Sequence, residues 1–242
     1  GIKSSDEILQ LIEVVENLGL DAMSTGVVLG WATEALAKNL ITQEQTLVPL
    51  AFGNTQAYIT AIEYIACKKN EFYSILAQGA DKASDVYGGK DFAMTFGKNE
   101  MPGYHTGYGS IIGPTVGARH SHLCNGGYSI DQSMKEFDKE KLVEKIFAEE
   151  KERCMLNSLI ICLFARKVYD RETILAALNS IGYNLTNEDL TAIGERIYKT
   201  KLRIKNMMGY DSKNVRFPKR LFETPSMSGQ LDEKVAYELL DM

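Results

Sequence analysis

From Ala22 to Leu40 nearly every residue is apolar or small, and the run is too long for a strand. In water such a stretch predicts a helix covered by other elements, because no face of it is polar enough to be the solvent side. Upstream, Ile8, Leu11, Ile12 and Val15 recur at helical spacing up to Gly19, predicting a first helix that also lies away from the surface. Thr55 to Lys69 and Glu71 to Tyr87 repeat the helical pattern, separated at Asn70 and closed by Gly88-Gly89. Helical patterns return after Asp131. Met134 to Glu152 carries Phe137, Leu142, Ile146 and Phe147 among charges, and apolar Met155 to Phe164 reads as its buried continuation or the next helix. Arg171 to Ile181 is closed by Gly182, and Asn187 to Met208 places Leu190, Ile193, Ile197, Ile204 and Met208 near one face.

Residues 91–129 break this regularity. Gly, Pro, Tyr and His concentrate there, and Phe92 to Phe96 alone alternates enough to predict a strand. A long irregular segment inside a compact domain is usually functional, and its aromatic and His content argues against disorder. The expected architecture is all-α and multihelical, with two helical lobes joined through this Gly/His/Tyr-rich segment near residues 90–103. The domains are expected at 1–92 and 93–242, and Phe217 to Gly229 is expected as an extended tail.

With 242 residues and 45% hydrophobic content the chain can bury a substantial core. A net charge of −5, with Lys and Arg interspersed among acids, gives no basic stripe for nucleic acid. No apolar run reaches the ~20 residues of a membrane span, and residues 1–6 lack a signal-peptide core, so a cytoplasmic protein is expected. Cys67, Cys124, Cys154 and Cys162 show no Cys-x-x-Cys spacing and are expected as reduced thiols.

Glu16 and Asp21 lie on either side of Gly19, in Glu16-Asn-Leu-Gly-Leu-Asp-Ala-Met-Ser-Thr-Gly26. Locally this is a helix end followed by an Asp N-cap. A glycine turn also lets both carboxylates converge on one ligand edge, and paired N–H donors such as those of an aminopyrimidine suit them. Five further strings follow in order: Leu76-Ala-Gln-Gly79; Glu100-Met-Pro-Gly-Tyr104; Gly117-Ala-Arg-His120; Leu156-Asn-Ser-Leu-Ile-Ile-Cys162-Leu-Phe164; and Ile193-Gly-Glu-Arg-Ile197 with Phe217-Pro-Lys-Arg220. Together the six resemble the aldehyde ferredoxin oxidoreductase family, tungsten enzymes with a bis-pterin cofactor and a [4Fe-4S] cluster.

The resemblance implies an oxidoreductase that converts aldehydes to carboxylic acids at a tungsten (or molybdenum) bis-pterin, passing electrons through the cluster to a ferredoxin-type acceptor. It implies that Glu16, Asp21 and Asn157 hold pterin and that Cys162 is the fourth cluster ligand. The other three cluster cysteines and a β-rich domain precede the Gly-Leu-Asp motif in the family. The chain is therefore read as a carboxy-terminal fragment, inactive alone, whose cluster is completed only with a missing amino-terminal domain. A homo-oligomer is left open.

Two of these residues have competing local readings. His105, His120 and His122 cluster in the irregular segment, where His-x-His can ligate a metal or bond backbone. The resemblance instead places His120 beside the metal as a group that orients substrate or moves a proton; His122 has no counterpart in that motif and is read as standing behind it. Cys162, within its apolar run, reads locally as a buried structural thiol.

Four departures bear on function. Asn157 replaces the family's acid and Glu16 its Asp; Gly97-Lys98 inverts the usual Lys-Gly; and Tyr104-His-Thr-Gly107 stands where Tyr-Asp-Pro-Arg is common. The last, with Gly117-Ala-Arg-His-Ser-His122, resembles the catalytic subunit of benzoyl-coenzyme A reductases of the same family. A helical binding or assembly module that lost the cofactor is the alternative from another class.

Overall fold

The computed structural model describes the chain from Gly1 to Met242, apart from the side chain of Lys213. The fold is all-α, as expected. In chain order the helices are α1 (Ser5–Asn17), α2 (Ala22–Ala37), α3 (Gln43–Thr46), α4 (Thr55–Cys67), α5 (Glu71–Leu76), α6 (Ala80–Tyr87), α7 (Tyr108–Val116), α8 (Tyr128–Ser133), α9 (Lys139–Ser158), α10 (Arg171–Ser180), α11 (Asn187–Met207), α12 (Arg220–Glu223) and α13 (Glu233–Asp241). Between α6 and α7 lies an antiparallel hairpin of β1 (Thr95–Phe96) and β2 (Asn99–Glu100). The chain forms two compact units: residues 1–103 with 216–224, and residues 104–215 with 225–242.

In the first unit α2 is the central element. Trp31, Ala32 and Ala35 are buried with Phe72, Tyr73 and Leu76, and the Tyr73 hydroxyl donates to the Thr46 carbonyl at 2.5 Å. Trp31 is 2% exposed, and burying so large an apolar side chain stabilises by roughly 3 kcal/mol. The expectation that α1 avoids the surface is corrected: of its residues only Val15 is buried, while Ile8, Leu9 and Ile12 are exposed. Its contact with α2 and α4 is a narrow stripe, to which Leu11 and Val14 add partial burial.

The helical pattern Glu71 to Tyr87 is split into α5 and α6 at Gly79, whose φ of +100° favours glycine. A Cβ there would also meet Glu100 Oε1 at 2.7 Å. That oxygen accepts the Ala80 N–H at 2.7 Å, so Glu100 caps the start of α6. The string opening at Glu100 thus bonds the residue directly after the string Leu76 to Gly79. The pair Gly97-Lys98 has φ of +52° and +74°, the signature of a tight type I′ hairpin turn. Glu100→Ala is expected to cost ~1–3 kcal/mol in urea unfolding, by orphaning the Ala80 N–H, and Glu100→Gln distinctly less. Equal losses for the two variants would count against the cap.

Phe217-Pro-Lys-Arg220 belongs to the first unit and is not an extended tail throughout: α12 forms one helical turn and Ser226 to Gly229 forms a bridged turn. Phe217 is buried edge-on to Phe96, and Arg220 forks onto Glu34, holding that carboxyl below its ordinary range.

The second unit corrects the reading of residues 91–129 as irregular, because α7 lies within them and is buried from Gly109 to Thr115. Gly109, Gly113 and Pro114 weaken helix propensity, so the helix depends on partners distant in sequence. At its start Asp131 of α8 accepts N–H from Gly109 at 2.7 Å and Ser110 at 2.9 Å, and the Thr106 hydroxyl at 2.8 Å. The long helices α9 and α11 pack along each other, with Gly194 against the Lys151 carbonyl, and Met155, Leu156, Ile174 and Leu190 form an apolar cluster.

Candidate functional site

Glu16 and Asp21 occupy the corner between α1 and α2. The corner closes with Gly19 at φ +67°, Leu20 N–H donating to Val15 O and Gly19 N–H to Glu16 O, both at 3.0 Å. Asp21 then caps α2, its Oδ1 accepting Ser24 N–H at 2.7 Å. Both carboxylates are exposed. Asp21 therefore fills the local N-cap role while presenting its other oxygen to solvent, at the helix end where the dipole favours an anion. Two exposed acceptors at a fixed corner fit an edge of N–H donors.

His120, Asn157 and Cys162 belong to the second unit. His120 sits just beyond α7 with φ +52°, a left-handed conformation in which His is enriched. Its half-buried imidazole is directed to the carbonyls of Pro114 and Thr115, and lies 5.1 Å from the Tyr210 ring, centre to centre. The same helix end gathers Lys205 of α11. Its Nζ donates to Gly117 O at 2.7 Å and to the carbonyls of Thr115 and Val116 at 3.4 Å, and stands 3.6 Å over the Tyr210 ring. The Tyr210 hydroxyl donates to Thr115 O at 3.1 Å. An anion at the start of α7 and a cation at its end thus complement the helix dipole.

Burial, then the Lys205 charge, pushes His120 down to about 4, so near neutrality the imidazole is uncharged and able to accept a proton. Burial also brings Lys205 down to about 8. Glu150 of α9, 1% exposed, accepts Ala118 N–H through Oε1, while its Oε2 is buried without a hydrogen-bond partner; burial raises its pKa.

Asn157 lies in the last turn of α9, half-buried, with its side-chain nitrogen buried and unpartnered. Its amide keeps one acceptor oxygen and lacks the charge a carboxylate would bring to a pterin's N–H edge. The buried-thiol reading of Cys162 is corrected: the thiol is exposed. Helix α9 ends at Ser158 in a Schellman turn, with Ile161 N–H on Leu156 O and Ile160 N–H on Asn157 O. Ile160 takes φ +60°, which redirects the chain outward and leaves Ile160 93% and Phe164 96% exposed. A β-branched residue is strained in this region. An exposed cysteine sulfur can reach a metal cluster supplied from outside this unit.

Among the described residues no three His, Cys, Asp or Glu side chains converge as metal ligands. The His122 carbonyl accepts from Arg153, and its ring is edge-on to Tyr104. Two open clefts, one of about 430 Å³ on α11 and one of about 680 Å³ in the first unit, include none of the sequence-predicted site residues. Sequence reasoning missed Lys205, Tyr210, Glu150 and Asp131. Lys205 is one of several lysines on α11, and no local pattern distinguishes it.

The family model described as aldehyde ferredoxin oxidoreductase, domains 2 & 3, matches residues 1–242. The chain belongs to this family. It is 29% identical to the tungsten-containing aldehyde ferredoxin oxidoreductase of Pyrococcus furiosus and 27% to that of Thermococcus kodakarensis, in each case over 95% of this chain and 40% of the relative. The aliphatic sulfonate oxidoreductase, WOR-like subunit, of Pyrococcus furiosus is 29% identical over 81% of the chain and 31% of its own length. The chain thus spans about two fifths of the aldehyde ferredoxin oxidoreductases it matches. No helix among the described residues is long and apolar enough to cross a membrane.

Proposed function

We propose that this chain is the helical, cofactor-facing part of a tungsten- or molybdenum-pterin oxidoreductase that converts an aldehyde to a carboxylate and passes electrons to a ferredoxin-type acceptor. The observation that carries the reading is the family match along the whole chain, with tungsten-containing oxidoreductases as relatives. In the reaction the aldehyde carbon gains an oxygen from water while two electrons and three protons leave. The bound metal pterin would supply the two-electron chemistry.

This chain's residues bind and orient. Glu16 and Asp21 accept hydrogen bonds from a pterin's N–H edge, Asn157 meets a second pterin through its amide oxygen, and Cys162 completes a [4Fe-4S] cluster whose other ligands come from an amino-terminal domain. His120, uncharged near pH 7, accepts a proton released from water or substrate. The expected boundary at 92/93 falls within the first compact unit, and we take residues 93–103 as the passage into the catalytic half.

A second reading, a benzoyl-coenzyme A reductase-like subunit, draws on Gly107. A Cβ there would come 2.8 Å from the Asp131 carboxyl carbon, so this packing has no room for the arginine common at that place in the family. The alternative of a module without cofactor is disfavoured by the joint presence of Asp21, His120 and Cys162 at the places the family resemblance implies.

The test is made in the parent enzyme containing this region. Cys162→Ala is expected to lower bound iron and abolish the reduced-cluster EPR signal, whereas Cys67→Ala, at an exposed thiol of the first unit, leaves both intact. Full iron and an unchanged signal in Cys162→Ala would remove the cluster assignment. Turnover of aldehydes against aromatic thioesters by the same preparation decides between the two substrate classes.

A further inference from the structure

A lysine on α11 that is 8% exposed carries a desolvation cost that a methionine of similar length would not. Its hydrogen-bond acceptors are the main-chain carbonyls of Thr115, Val116 and Gly117, and Glu150 acts on it as a longer-range charge. Those carbonyls end the helix from which His120 hangs. Tyr210 is held between the two side chains: its ring faces Lys205 at 3.6 Å and His120 at 5.1 Å, and its hydroxyl shares the Thr115 carbonyl with Lys205. A neutral side chain could fill the space. It could not balance the negative end of α7, nor place a positive charge beside the imidazole.

We propose that Lys205 is a positioning residue for His120: its ammonium gathers the last carbonyls of α7, fixes the loop that presents the imidazole, and disfavours a second cation there. The functional meaning of this coupling rests on the reading of His120 as a proton acceptor. The charged or titratable groups facing this end of α7 are Tyr198, Lys201 and Lys205 from α11, Tyr210 and Asp211 from the turn after it, Glu150 and Cys154 from α9, and Arg119 and Cys124 from the loop itself. Arg119 Nε bonds Cys124 Sγ at 3.0 Å, and Glu150 is bonded by Ala118 N–H. Lys205 is the member of this group that both charges the site and holds its backbone.

The experiment is an NMR titration of the histidine ring signals in the 242-residue chain, assigned with His105→Gln, His120→Gln and His122→Gln. His120 is expected to titrate near 4 in the unsubstituted chain. In Lys205→Met its midpoint is expected to rise by about one unit, a tenfold gain in proton affinity, and still to stay below 6.5 because burial persists. Lys205→Arg, which keeps the charge, is expected to hold the midpoint low. An unchanged midpoint in Lys205→Met, or an equal rise in Lys205→Arg, overturns the proposal.

If Lys205→Met fails to fold, Lys205→Gln is judged by the same criterion, since its amide still donates to carbonyls and carries no charge. In the parent enzyme the acid limb of kcat/KM should move upward with the His120 midpoint in Lys205→Met. Full turnover in His120→Asn would remove the proton-acceptor reading and leave the measured coupling standing.

Discussion

Turnover of the parent oxidoreductase is expected to fall ~10²–10⁴-fold when His120 is replaced by Asn, with tungsten or molybdenum content unchanged, the usual contribution of a positioned general base. The expectation comes from what the fold does to this imidazole. A solvent-exposed His would be partly protonated near pH 6.5, but burial and the neighbouring Lys205 hold His120 near 4. It is therefore available as an acceptor across the neutral range. Asn keeps an uncharged amide donor for the α7 carbonyls and cannot accept a proton near neutrality, so the substitution is aimed at proton transfer.

His122→Ala is expected to cost far less. In His122 it is the main-chain carbonyl that Arg153 grips, and alanine preserves it, losing mainly a ring contact with Tyr104. Loss of metal in His120→Asn would make the residue a ligand instead. Undiminished turnover would return both loop histidines to a structural role.

The features legible in the sequence are those whose causes are local. Helix α2 follows from its own apolar run and its Asp21 cap, and the corner before it follows from Gly19. The strings at Gly79 and Glu100 show how separate short motifs depend on one another, since Glu100 caps the helix that Gly79 begins. Helix α7 was not legible. Its glycines and proline argue against a helix, and the groups that stabilise it, Asp131 and Lys205, lie 22 and 88 positions from the Gly109 N–H and the Gly117 carbonyl they bind.

The exposure of Cys162 is hidden from a local reading for a related reason. Its neighbours are apolar, which normally means burial, yet the left-handed turn at Ile160 carries them outward. Exposed apolar side chains beside an exposed thiol are what a surface completed by another domain would leave. The same logic applies to Lys205 and Tyr210: the chemistry around His120 is assembled by packing of α7, α9 and α11, and no spacing along one helix encodes it.

Gly127→Ala is expected to destabilise the second unit by ~3–5 kcal/mol, a large part of the ~5–15 kcal/mol that holds a domain folded. A Cβ at this position would lie 1.8 Å from the Gly109 carbonyl oxygen and 2.3 Å from its carbon, and backbone atoms cannot swing aside as a side chain can. The contact is reciprocal, because a Cβ on Gly109 would meet the Gly127 oxygen at 2.5 Å and Asp131 Oδ1 at 2.6 Å. The two glycines thus let α8 approach α7 closely enough for Asp131 to accept the Gly109 and Ser110 N–H groups. Forcing the helices apart adds an unsatisfied cap to the steric penalty, and two buried donors lose their acceptor together.

Gly30→Ala provides the contrast. Gly30 is inside α2 with nothing within 4 Å of its Cβ position, so alanine there is expected to stabilise by up to ~1 kcal/mol through helix propensity. Urea unfolding followed by circular dichroism measures both. A Gly127→Ala midpoint within error of the unsubstituted chain would show that α7 and α8 are not in this contact. The capping of α7 by Asp131, and the placement of His120 that depends on α7, would then have to be abandoned.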